Sequence, residues 1–198
     1  GAIIIGNSCL IILLYGLQSW VPTMLLRVYE WDLVQSGRVY GSIAMLAGSA
    51  GVLSGPFVLK YMSKINVNAP HFKLAIFGIS MASLSLVLLP FQPNVNIALV
   101  FVTMASFFVT LPLAGTSSAM VIVSPNRIRG VITGIYVVVT SVFGLVLGPF
   151  LVASSTDFIF QDTNAVAKSL ALVSVLVGPV GIFFMYKGIN SFGEIKNV

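Results

Sequence analysis

Long uncharged apolar runs alternate with short polar knots along the chain, and this alternation predicts six helices that cross a bilayer. The runs cover 2–26, 39–59, 74–89, 95–123, 130–155 and 169–186, and none carries a charge at mid-depth. The first is interrupted only by Asn7, Tyr15 and Gln18, with Trp20 and Pro22 near its far end. The second is dense in Gly, Ala and Ser, as in a helix whose backbone approaches other helices closely. Pro90 and Pro93 separate the third run from the fourth, because proline lacks the amide proton that would continue a helix. The fourth carries Pro112 near its middle with Thr110, Gly115, Thr116, Ser117 and Ser118 around it. The fifth follows the knot Ser124-Pro-Asn-Arg127-Ile-Arg129-Gly130 and holds Gly134, Gly144, Gly148 and Pro149.

Composition supports the same class. Hydrophobic residues make up 58% of the 198 and charged residues 8%, against roughly 45–50% and about 25% in a soluble domain. Mean hydropathy is +1.05. The fold class expected is an all-α membrane protein, a bundle of six transmembrane helices. Gly1 opens directly on an apolar run with no basic segment or cleavage site, so the chain is expected to begin part-way into a longer protein.

The net charge of +5 comes from basic residues scattered singly between the runs, which argues for membrane topology rather than nucleic acid. With the N-terminus inside, the inner connections hold Lys60, Lys64, Lys73, Arg127, Arg129, Lys187 and Lys196, and the outer ones hold Arg27, Arg38 and Lys168. That is seven of the ten basic residues inside, so both chain ends are expected to be cytoplasmic. A five-span reading that merges the third and fourth runs spoils this split.

The chemistry on offer is sparse. Cys9 is the only cysteine and His71 the only histidine, and there is no nucleotide or metal motif, so neither enzyme activity nor a cofactor is expected. Without a mid-depth carboxylate, proton coupling would draw on acids outside this chain. Uncharged polar and aromatic residues remain as candidate substrate contacts: Tyr15, Gln18, Ser106, Thr110, Tyr136 and Thr140. Tyr136 and Thr140 share a helix face. Interhelical hydrogen bonding is the plainer role for Tyr15, Gln18, Tyr136 and Thr140. Trp20, Tyr29 and Trp31 suit interfacial anchors, His71 a solvated loop and Cys9 an apolar filler. Gly144-x-x-x-Gly148-Pro149 suits either close packing or a bending point, and Arg127 and Arg129 either topology or a latch.

The segment from Pro125 to Gly130, the ending Gly144-Leu-Val-Leu-Gly148-Pro149 and the following Ser155-Thr-Asp157 resemble helices ten and eleven of a major facilitator superfamily transporter. The nearest branch is the bacterial spinster-like one. Tyr15-Gly-Leu-Gln-Ser-Trp20-Val-Pro22 is similar to its helix seven, and Gly37, Gly41, Gly48, Gly51 and Gly55 fall where its helix eight is glycine-rich. The superfamily loop signature would fall on Gly55 to Lys64; Gly55, Lys60 and Lys64 fit, but Leu59 and Met62 occupy its acid and second glycine positions.

The resemblance implies helices seven to twelve of a twelve-helix transporter, with an N-terminal six-helix half as partner. It further implies secondary active transport of a small organic solute or lipid-like amphiphile by alternating access, in contact with membrane lipids and open to proton coupling. Gating roles would fall on Arg127, Arg129, Gly130, Gly144, Gly148, Pro149, Gly55, Lys60 and Lys64. The expected location is a bacterial inner membrane. The alternatives are a sugar-acid type organic-anion symporter, or a self-standing six-helix assembly module.

Overall fold

The computed structural model describes residues 2–123 and 128–196. Among these, six helices are long and apolar enough to span a membrane: α1 (Ala2–Val28), α2 (Leu33–Lys64), α3 (Pro70–Phe91), α4 (Val95–Val121), α5 (Arg129–Phe160) and α6, whose apolar part is Val166–Ile189. The chain is an integral multi-pass membrane protein.

Local chemistry sets the helix ends. The Asp32 carboxylate accepts from the Val34 amide at 3.1 Å, and Asn94 caps Asn96 at 2.9 Å. Asn66 and Gln161, just beyond α2 and α5, take the left-handed conformation that closes many helices. Several ends differ from the hydropathy reading, most by extending it. The second helix starts at Leu33 rather than 39 because the Asp32 cap nucleates it ahead of the apolar stretch. The third starts at Pro70 rather than 74, proline being pre-set for a first turn. The fifth continues to Phe160 rather than 155 by widening into a π-helical turn, Ser155–Phe160.

Helix α1 lies between α5 and α6, while α3 packs on α6 and α4, and α2 packs chiefly on α4. Leu10, Leu17 and Val21 of α1, Ile79 of α3, Val102 of α4 and Leu170 of α6 belong to one continuous core. In lipid this core is held by close packing and hydrogen bonds rather than by exclusion of water. Hydroxyls within the spans bond back to their own helix, as Ser80 does to the Ile76 carbonyl at 2.8 Å and Thr103 to Leu99 at 2.7 Å. That lets these hydroxyls occupy apolar depth with their hydrogens satisfied.

Glycine sets the closest crossing. A Cβ on Gly148 would lie 2.7 Å from the Ile12 carbonyl oxygen and 2.9 Å from the Gly16 nitrogen, so α5 and α1 touch backbone to backbone there. Helix α5 widens to a π turn over Phe143–Leu147, just before Pro149. A second π turn, Ala44–Gly48, interrupts α2. Helix α4 breaks at Leu111 and Pro112 into Val95–Thr110 and Leu113–Val123.

Candidate functional site

The six candidate contact residues fall into separate neighbourhoods. Tyr15 packs against the Gly144 and Gly148 backbone at the α1–α5 crossing. Gln18, one turn further along α1, is exposed. Thr110 and Ser106 lie at the α4–α2 contact, where Thr110 Oγ1 donates at 3.0 Å to the Gly48 carbonyl or at 2.9 Å to the Ser106 carbonyl. The Ser106 hydroxyl is buried without a partner. Tyr136 and Thr140 are both buried on one face of α5, and Thr140 bonds back to the Tyr136 carbonyl at 2.7 Å.

The strongest convergence of polar groups is one that spacing along the chain did not reveal. It surrounds a single turn of α4 just beyond the break, Gly115-Thr116-Ser117. From α1, the Asn7 side-chain oxygen accepts from Thr116 Oγ1 at 2.7 Å, and both residues are buried. From α5, the Tyr136 hydroxyl is shut away from water and faces Thr116 and Ser117 without completing a hydrogen bond to either. From α3, His71 approaches Gly115 with its Nδ1 buried and unpartnered. His71 is therefore not a solvated loop residue. Pro70 starts the helix early enough to carry the imidazole into the bundle. Nothing in the local sequence marks this node, because its members are far apart in the chain and share no periodicity.

The gating candidates divide similarly. Gly144 and Gly148 are packed on α1, and the Pro149 carbonyl accepts from Trp20 Nε1 at 3.0 Å. Trp20 thus ties α1 to α5, a role beyond that of a lipid anchor. Gly55 abuts the Leu111 carbonyl beside the α4 break. Lys60 and Lys64 are exposed at the end of α2, and Arg129 opens α5. Gly130 has open space where a side chain would project. Arg127 lies outside the described residues.

At the opposite end the loops are tied to each other. Tyr29 donates to the Gln92 carbonyl at 2.8 Å, and Arg27 to the Thr163 carbonyl at 3.3 Å. Partial burial holds the Tyr29 phenol above its ordinary pKa.

Helices α2 and α5 are the least enclosed: 22% and 28% of their most apolar stretches are buried, against 50% for α1. Gly37 and Gly41 on α2 and Gly130 and Gly134 on α5 have nothing within 4 Å of where a side chain would begin. Large apolar residues flank them, including Met45, Leu46, Leu53 and Phe57 on α2 and Val131, Val138 and Val142 on α5. Among the described residues no group of His, Cys, Asp and Glu could hold a metal ion.

No protein-family profile matches the sequence, and no curated protein matches it. The architecture does match solved structures. A bacterial homologue of the human lysosomal transporter Spinster, inward-facing and unoccupied, superposes with a TM-score of 0.68 at 13% identity, over 96% of this chain and 45% of that one. Its inward-facing, occupied form gives 0.64 at 14% identity, over 96% of this chain and 47% of that one. The chain has the fold of one six-helix half of a major facilitator transporter, and spans less than half the length of the spinster homologue that it matches.

Proposed function

We propose that the chain is the C-terminal bundle, helices seven to twelve, of a secondary active transporter for a small organic solute or lipid-like amphiphile. The observation that carries this is the pair of least-enclosed helices, α2 and α5. Their glycine positions stand open within the chain, as expected of faces that meet a second bundle. Alternating access then follows from rocking one bundle against the other about a site between them. Tyr15, Gln18, Ser106, Thr110, Tyr136 and Thr140 are the side chains from which this half's share of that site is drawn. Gly144 and Gly148 supply a tight pivot between α1 and α5, and the knot at Arg127 and Arg129 marks the cytoplasmic end.

A sugar-acid symporter is disfavoured, because the spans present no mid-depth cation to a carboxylate. The test is reconstitution in proteoliposomes of the six-helix chain alone and of the chain with the sequence that flanks it in its gene. A panel of organic solutes and single-chain amphiphiles is screened against both. Transport is expected only when both bundles are present, and Tyr15→Phe and Gln18→Ala should slow it. Transport by the six helices alone would overturn the proposal, and wild-type kinetics in both variants would remove those two residues from the site.

A further inference from the structure

We propose that His71 is a proton-binding site that closes α3 onto α4 beside the break in α4. Three observations carry the inference. The imidazole is only partly exposed, and its Nδ1 is shut away from water without a hydrogen-bond partner. The polar group facing it is the Gly115 backbone, and a Cβ at Gly115 would lie 3.6 Å from Nδ1. A void beside the ring, lined by Ile3, His71, Phe72, Thr116, Ala119 and Met185, is too small to hold a water molecule against it.

A neutral ring with its hydrogen on Nε2 presents a bare lone pair at Nδ1 toward a carbonyl, two acceptors face to face. One proton taken from water converts Nδ1 into a charged donor, and the Gly115 carbonyl becomes its acceptor. The change acts on the turn that also receives Asn7 from α1 and Tyr136 from α5. Lying just past Leu111 and Pro112, that turn belongs to the half of α4 that leads to the cytoplasmic knot. Proton binding therefore fixes the position of this half-helix.

Among the described residues no acid faces the ring. The elements around the ring bring Ile3 from α1, Leu59 from α2, Thr116 and Ala119 from α4 and Met185 from α6 to His71, Phe72 or Gly115. Beyond Thr116 stands the Tyr136 phenol of α5. The charged side chains described at this end are Lys73 on α3, Lys60 and Lys64 on α2, Arg129 on α5 and Lys187 on α6, all cations. His71 is also the only histidine, and so the only side chain here that ordinarily titrates near neutrality.

Having one histidine makes the test clean. Ring-labelled histidine in the full chain, in detergent micelles, gives one set of imidazole nitrogen signals, followed from about pH 8 to about pH 5. The expected result is an Nε2–H tautomer when neutral and a single titration to imidazolium. Protection of the Gly115–Ala119 amides from exchange, corrected for intrinsic pH dependence, should rise about tenfold through the same midpoint. His71→Gln should keep protection flat across the range. A ring that stays neutral, a neutral Nδ1–H tautomer, titration without a change in protection, or the same pH response in His71→Gln would each overturn the proposal. The wild-type spectra and exchange suffice if the variant does not fold. The proposal is independent of transport, since every readout is made without substrate.

Discussion

Two kinds of glycine are present, and they predict opposite responses to one added methyl group. At Gly148 a Cβ would meet the Ile12 carbonyl oxygen at 2.7 Å, and the clash is with backbone that cannot swing aside. Gly148→Ala is therefore expected to destabilise the chain by about 1–3 kcal/mol, the usual cost of overpacking. Gly134 has open space instead, so Gly134→Ala should be neutral or stabilise by up to about 1 kcal/mol through helix propensity. Denaturant unfolding in detergent micelles measures both; equal losses would mean that the α1–α5 crossing is looser than described. At this scale the sequence was partly legible. The Gly144-x-x-x-Gly148 spacing marked a close approach, and the shared face of Tyr136 and Thr140 followed from helical period. The partner of Asn7 did not, because Thr116 lies 109 residues away and only the tertiary fold joins them.

Helix number and kind were readable from uncharged run length, since lipid requires each backbone polar group to be satisfied inside its own segment. Helix ends were not, for a local reason. Leu33–Arg38 carries Gln35, Ser36 and Arg38 and looks like loop by hydropathy, yet the Asp32 cap makes it the start of α2. The π turns at Ala44–Gly48 and Phe143–Leu147 have no sequence signature that hydropathy detects. They fall in the two least-enclosed helices. Hydrogen exchange of the isolated chain should therefore find the first half of α2, about residues 33–48, the fastest-exchanging spanning segment, and the Leu10–Leu25 stretch of α1 among the slowest. The reverse order would contradict the packing described.

For the whole molecule, the basic residues predict that both ends and the α2–α3 connection are cytoplasmic. A cysteine in place of Ser63, with Cys9 replaced by Ala, should react with an impermeant thiol reagent only from the cytoplasmic side. One in place of Thr163 should react only from outside. Labelling from the opposite sides would invert the topology. The six-helix fold was legible at this scale; cargo was not, because the polar groups that would meet it are few, uncharged and spread over several helix contacts.

The proposed function requires the open faces of α2 and α5 to meet a second six-helix bundle. Spin labels on Gly41→Cys and Gly134→Cys, with Leu84→Cys on the exposed side of α3 as reference, test it directly in the Cys9→Ala background. Spectra are recorded for the chain alone and for the chain joined to its flanking sequence. The labels at positions 41 and 134 are expected to be mobile in the isolated chain and immobilised when the flanking sequence is present, while position 84 is unchanged. Labels at 41 and 134 that keep the same mobility in both would contradict it.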